Sequence, residues 1–219
     1  MAKPTSALEH PELCGFLATI PPDAEEQRLA AAFRGIDEQL TARRGREAAC
    51  QQEIAAIDAE FVDASAKQQE AMITRRMRLA AELQTLPAQL DVVTRRRVPA
   101  HLAWLRRVRA LALGEAARAE AALDAPIATS HQLQVELWRD EARLAWQPLL
   151  SVDERAAKIE QARGLTAAMQ PARDRLQRAQ LVAEICQILA GEKTNLDAPS
   201  TWPGGEAWLA VGQAVGLTV

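Results

Sequence analysis

The clearest pattern in the chain is a stripe of apolar residues that begins near residue 29. Its members alternate at spacings of four and three residues: Leu29, Phe33, Ile36, Leu40, Cys50, Ile54, Ile57 and Phe61. Arg43 and Glu47 interrupt the stripe at consecutive positions. A period of 3.5 residues is typical of a helix that shares a buried seam with another helix. We therefore predict a long coiled-coil helix that begins after Asp23, a favourable N-cap residue.

The continuation of the stripe beyond residue 61 leaves two architectures open. The 11-residue step from Phe61 to Met72 is a four-residue stutter, after which a single long helix would continue. Alternatively, the helix breaks near Asp63-Ala64-Ser65, because Ser65 and Gln68 have the spacing of a capping box and would start an antiparallel helix. The partner of the seam is accordingly either residues 65–96 of the same chain or a second copy.

Prolines divide the rest of the chain into shorter helices. Each proline disfavours helix at the residue before it, so Pro87 and Pro99 predict a kinked or broken stretch over residues 85–99. The same argument predicts a helix end at Pro126, another at Pro148 and either a kink or a restart of the helix at Pro171.

Capping signals support this division. Thr129 with Gln132, and Ser151 with Glu154, have capping-box spacing and predict two helix starts. Gly191 follows an apolar stripe and predicts a C-cap. We therefore expect a bundle of short helices in this part of the chain.

Composition favours an all-α fold, since 45 of the 219 residues are Ala and 22 are Arg, whereas Tyr is absent and Phe occurs three times. The predicted architecture is a long N-terminal coiled-coil helix or helical hairpin, followed by a bundle of shorter helices. The predicted domains are a docking leader (1–23), a coiled-coil region with a basic elbow (24–124), a helical bundle (125–192), and a loop with an apolar tail (193–219).

Charge is distributed unevenly although the net charge is only −3. Residues 1–63 carry 6 basic and 12 acidic groups, whereas residues 64–114 carry 10 basic and 3 acidic groups. The basic segment either binds a polyanion or pairs with acidic residues of the chain. Arginine matches phosphate geometry, so the candidate nucleic-acid contacts are Arg75, Arg76, Arg78, Arg95, Arg96, Arg97, Arg106, Arg107 and Arg109. An acidic pI near 5.7 and the lack of stacking aromatics other than Trp104 weigh against this interpretation.

No residue pattern predicts a catalytic centre, a metal site or a cofactor. Cys14, Cys50 and Cys186 lie far apart without CxxC spacing, which fits reduced thiols in the cytoplasm. His10 and Cys14 lie four residues apart, but a zinc ion needs four ligands. We see neither a secretory leader nor an apolar run of the roughly 20 residues that a membrane span requires. We therefore expect a soluble cytoplasmic protein that does not interact with membranes.

These patterns favour a non-enzymatic oligomerisation, structural or adaptor protein, a component of a larger assembly such as a virus particle or a cytoplasmic complex. The alternative is a protein that binds the nucleic-acid backbone through the arginines. Trp104, Trp138 and Trp146 are predicted to anchor a core or an interface, and the termini are expected to contact a protein partner. The predicted self-association surface is formed by Leu29, Phe33, Ile36, Leu40, Ile54, Ile57 and Phe61.

Overall fold

A computed structural model describes residues 7–143 and 150–192 of the chain. Within these ranges the secondary structure is helical, with no strand, which confirms the all-α prediction. A short 3₁₀-helix (Ala7–Glu9) precedes α1 (Pro11–Leu17), α2 (Ala24–Glu60), α3 (Ala66–Arg143) and α4 (Val152–Leu189). None of the helices in the described ranges is both long and apolar enough to cross a membrane.

The first long helix, α2, begins and ends where local chemistry predicts. The Asp23 carboxylate accepts a hydrogen bond from the backbone N–H of Glu26 at 2.7 Å, which satisfies a free donor of the first turn. After Glu60 the chain turns, and the N–H of Ser65 donates to Oε1 of Gln68 at 2.9 Å as α3 starts. The helix therefore breaks at the predicted place, and a single unbroken helix over residues 24–86 is excluded.

The first compact unit, residues 22–105, is an antiparallel pair formed by α2 and the first part of α3. Its core includes a cluster in which Cys50 and Ile57 of α2 contact Leu79 of α3. Further buried apolar side chains lie along both helices: Phe33, Leu40, Leu86, Val93, Trp104 and Leu105. The apolar stripe of α2 is thus covered by α3 of the same chain.

Proline did not break α3 where we predicted. The helix is continuous from Ala66 to Arg143, so the predicted break over residues 85–99 and the predicted helix end at residues 124–126 are wrong. Pro87 and Pro99 are exposed, whereas Leu86 and Val93 are buried. The pyrrolidine rings therefore lie on the solvent side, and apolar burial on the opposite side offsets a cost of about 3 kcal/mol per interior proline.

Residues 7–21, 106–143 and 150–192 belong to the second compact unit. Here α4 runs antiparallel to the second part of α3, as ion pairs from Arg155 to Glu141 (2.6 Å) and from Arg109 to Glu192 (3.2 Å) establish. Leu13 and Phe16 are buried in α1, which packs against α4. The core contains many small side chains, which allow close approach of the helices: Val108, Ala112, Ala116, Ala119, Ala179, Val182 and Ala183.

Two of the caps predicted for this unit are confirmed, and one is wrong. Ser151 and Glu154 form the predicted capping box, and Gly191 adopts φ +73° just after α4, as expected for a C-cap glycine. The helix start predicted at Thr129 is wrong, because its hydroxyl donates to the Ala125 carbonyl within the interior of α3. Pro171 lies inside α4, which is continuous to Leu189, so the predicted restart there is wrong and the alternative of a kink remains a prediction.

Some predictions lie outside the described residues: Trp146, the helix end at Pro148, and the apolar tail within residues 193–219. The compact units divide after Leu105, and the domain boundaries drawn from the sequence remain predictions. Trp104 is buried, as predicted for a core anchor, whereas Trp138 is 69% exposed and does not belong to the core of this chain.

Candidate functional site

The arginine-rich segment lies along α3, where five of its nine arginines form ion pairs with carboxylates of the same chain. Three of these pairs connect α3 to α2: Arg75 to Glu53 at 2.8 Å, Arg76 to Asp58 at 2.7 Å and Arg97 to Asp37 at 2.5 Å. The other two join Arg95 to Asp91 at 2.7 Å and Arg109 to Glu192 at 3.2 Å. Arg107 is also held by an interaction within the chain. Six of the nine arginines are thus engaged within the chain, and the role of the set in nucleic-acid binding remains a prediction.

The remaining members of the set, Arg78, Arg96 and Arg106, are exposed. Arg96 borders a shallow groove between α2 and α3 that also contains Arg43 and Gln89. Nη1 of Arg43 donates to the Gln89 carbonyl oxygen at 3.3 Å, so this polar residue of the stripe contacts α3 rather than extending freely into solvent.

Sequence reasoning missed a two-bond bridge between α2 and α3. Arg46 holds Glu82 through two hydrogen bonds of 2.7 Å each. These bonds lower the pKa of the Glu82 carboxyl below its ordinary value. For two of the bridges a signal was present in the sequence. Glu53 and Arg75, and likewise Arg46 and Glu82, are oppositely charged and lie at nearly equal distances before and after the turn at residues 61–65, as an antiparallel hairpin requires.

The seven residues predicted to mediate self-association lie on or beside α2. Phe33, Leu40 and Ile57 are buried within the hairpin. The other four are partly buried: Leu29, Ile36, Ile54 and Phe61. Their role in self-association remains a prediction, but the three buried side chains are already covered inside one chain.

An aromatic and charged cluster joins the start of α2 to α3. The Phe33 and His101 rings stack with centroids 4.9 Å apart, and the guanidinium carbon of Arg97 lies 5.4 Å from the Phe33 centroid. Arg97 also holds both carboxylate oxygens of Asp37. Burial, followed by the charge of Arg97, lowers the pKa of His101, which favours the neutral imidazole here.

The cysteines and His10 differ in their degree of burial. Cys14 is exposed and its thiol donates to the Leu8 carbonyl at 3.1 Å. Burial raises the pKa of the Cys50 thiol and raises that of Cys186 to about 12, so both remain protonated and unreactive. Burial also lowers the pKa of His10. In the part of the chain that the structure describes, no three His, Cys, Asp or Glu side chains are placed to hold a metal ion.

Two further concave surfaces occur in the second unit. One, of about 480 Å³, is lined by Phe16, Thr19, Glu115, Asp174, Arg175 and Arg178, and its two acids balance its two arginines. The other, of about 660 Å³, lies between α3 and α4 and is mainly apolar. We call the second one the α3–α4 groove; its lining includes Ser130, Gln134, Leu137, Ile159, Ala162 and Ala167.

The chain matches no protein-family model, no curated protein and no solved structure.

Proposed function

We propose that this chain is a non-enzymatic, self-associating helical scaffold, an oligomerisation or adaptor component of a larger assembly. The observation that supports this proposal best is that charged side chains of α2 form ion pairs with charged side chains of α3. Along the α2–α3 hairpin they hold two helices in one register: Asp37 to Arg97, Arg46 to Glu82, Glu53 to Arg75 and Asp58 to Arg76.

Exposed ion pairs contribute little to stability individually, but charge pairing along a helical seam selects the partner and the register. A shift of α3 by one heptad along α2 would separate all four pairs and would move Ile57 away from Leu79. The hairpin therefore has one favoured arrangement, which is what a scaffold needs in order to present the same surface in every copy.

Exposed apolar side chains supply contact area for attachment. Val62, Trp138 and Val152 are all more than half exposed. Scattered exposed apolar residues are normal, but a large aromatic side chain at the surface is characteristic of protein interfaces. This exposure supports protein partners in preference to a buried small-molecule site.

The polyanion hypothesis has weaker support, because phosphate binding by the paired arginines would have to compete with carboxylates already within 3.2 Å or less. Each of those carboxylates would also repel the phosphate. We therefore rank self-association above nucleic-acid binding.

The proposal is tested by the mass of the full chain in solution. Light scattering after size exclusion, over loading concentrations from about 5 to 200 μM, should show a discrete mass that rises from 23.9 kDa toward a small whole multiple of it. Apolar association should persist in 1 M NaCl, because salt screens charge pairs but does not weaken apolar burial. A mass that stays at one chain over the whole range would contradict the proposal.

A further inference from the structure

The α3–α4 groove is lined in part by small residues and lies beside large exposed side chains. Ser130, Ala162 and Ala167 contribute small side chains to its lining. Trp138, which is 69% exposed, follows the lining residue Leu137 and lies one helical turn beyond the lining residue Gln134. The same surface therefore carries a depression and a projecting aromatic side chain.

Further apolar residues extend this surface along both helices. Ile127 of α3 is 49% exposed and lies one heptad before Gln134, whereas Val152 of α4 is 85% exposed and lies one heptad before Ile159. Residues one heptad apart lie on the same side of a helix in a helical pair. We call the groove together with Ile127, Trp138 and Val152 the groove face.

Two ion pairs within the chain lie at or beside the groove face. Arg155 of α4 binds Glu141 of α3 at 2.6 Å, and Arg163, which lines the groove, lies 3.5 Å from Glu160. A surface with paired charges can meet a copy of itself without net repulsion, whereas a partner of strong net charge would find no complement there.

We propose that the groove face is the surface through which two copies of this chain associate, with Trp138 of each copy inserted into the α3–α4 groove of the other. This inference rests on the proposed function, since it assigns the surface for self-association. In a twofold contact the same patch serves both partners, so it must contain both a projection and a matching depression. A groove of about 660 Å³ is large enough for an indole.

A second copy also completes a common architecture. Two antiparallel helix pairs that pack face to face form a four-helix bundle, in which apolar residues at heptad spacing become the shared core. The groove face spans about 17 Å along α3, from Ile127 to Trp138, at 1.5 Å per residue. A contact of this extent belongs among the smaller protein interfaces, so we expect a dissociation constant on the order of 10 μM.

Three variants of the full chain test the surface by light scattering. Trp138→Glu and Val152→Glu place a carboxylate in the contact, and each should weaken dimerisation at least about tenfold. Met77→Glu is the matched control, since Met77 is also on α3, is 68% exposed and belongs to the other unit. All three positions are exposed, so circular dichroism and urea unfolding should show an unchanged fold.

The outcomes separate this inference from the proposed function. Loss of the dimer in both groove-face variants, with retention in Met77→Glu, supports the inference. An oligomer of unchanged affinity in Trp138→Glu and Val152→Glu overturns the inference alone and leaves the scaffold proposal intact. A wild-type chain that remains monomeric overturns both.

A photocrosslink identifies the occupant directly. The full chain carries p-benzoylphenylalanine in place of Gln134, which is exposed and lines the groove. Irradiation at about 50 μM should give a covalent dimer whose crosslinked peptides map to residues 127–170 of the second copy. A crosslink within one chain to residues 193–219, or irradiation that yields only monomer, would overturn the inference.

Discussion

The indole N–H of Trp104 donates a 2.7 Å hydrogen bond to the carboxylate of Glu26, which ties the first turn of α2 to α3. Both side chains are buried, at 1% and 9% exposure. Trp104 is the largest fully buried side chain of the described residues. A buried donor that loses its acceptor costs about 1–3 kcal/mol, so the interaction is a sensitive probe of this end of the hairpin.

Glu26→Leu should lower the free energy of unfolding by about 1–3 kcal/mol in urea titrations, because the indole N–H would stay buried without an acceptor. Glu26→Gln keeps an acceptor in place and should cost less. Glu38→Ala is the control on the same helix, since Glu38 is exposed and should change stability by less than about 0.5 kcal/mol. Equal stability of Glu26→Leu and Glu38→Ala would show that the hydrogen bond is not maintained in solution.

The His101 cluster predicts a dependence of stability on pH. Burial first, and the charge of Arg97 second, lower the pKa of His101 in the folded chain, while Asp37 opposes this shift. Below the unfolded-state pKa of 6.5 the unfolded chain binds a proton that the folded chain resists. Stability is therefore expected to be full above about pH 7 and to fall as the pH decreases through 6.5 toward the lower pKa of the folded state.

His101→Phe keeps a ring against Phe33 and removes the titrating group. Urea unfolding between pH 7.5 and 5.5 should show a flatter pH dependence in this variant than in the wild type. His10, whose pKa is also lowered by burial, contributes in the same direction, so His10→Gln measures its separate share. An unchanged slope in His101→Phe would contradict the assignment to His101.

The buried stripe of α2 predicts strongly position-dependent tolerance of charge. Ile57 belongs to the buried cluster with Cys50 and Leu79 and is 6% exposed, so Ile57→Asp places an unpaired carboxylate in the core and should cost at least about 3 kcal/mol. Gln52→Asp is the matched control, because Gln52 is exposed on the same helix and should tolerate the change. Thermal unfolding followed by circular dichroism measures both, and equal tolerance would mean that the stripe is not buried.

Replacing either interior proline of α3 is expected to raise the free energy of unfolding. Pro87 and Pro99 lie within α3 and are exposed, so Pro→Ala restores a backbone N–H without disturbing the core. We expect each change to stabilise the chain by about 1–2 kcal/mol, the intrinsic cost of proline less the greater flexibility of the unfolded chain. Pro11→Ala should give no gain, because Pro11 is the first residue of α1 and its missing N–H would have no helical acceptor. A loss of stability in both α3 variants would contradict a continuous helix.

Local signals predicted the features that depend on neighbouring residues. The caps at Asp23, Ser151 and Gly191 each involve groups within a few residues, so residue type and spacing sufficed to predict them. The continuation of α3 through Pro87 and Pro99 depends instead on burial against α2, which is a property of the whole unit. For that reason local proline rules gave the wrong helix ends.

For the candidate surfaces, too, local patterns predicted some features and the three-dimensional structure was needed for the others. The period of α2 predicted which side is buried, but equal periodicity would serve a second copy or α3, so the partner required the three-dimensional structure. Trp138 has the spacing of a core residue in the sequence, and its exposure became evident only once α4 was placed. No residue motif marks the α3–α4 groove, since Ala, Ser and Thr acquire a role there only through the facing helix.

The pairing of the arginines with carboxylates predicts weak binding to nucleic acid and a shallow dependence of the binding constant on salt. If all nine bound phosphates, the logarithm of the binding constant would fall with the logarithm of salt with a slope of about −8. Because only Arg78, Arg96 and Arg106 are exposed and outside the intrachain pairs, we expect a slope no steeper than about −3 for a 20-bp duplex in fluorescence anisotropy between 50 and 200 mM NaCl. Asp58→Asn releases Arg76 from its partner and provides the informative variant. Two outcomes would contradict this expectation: a slope near −8 in the wild type, or tight wild-type binding whose affinity is unchanged in Asp58→Asn. Either would show that the carboxylates do not keep these arginines from phosphate. Nucleic-acid binding would then become the leading function.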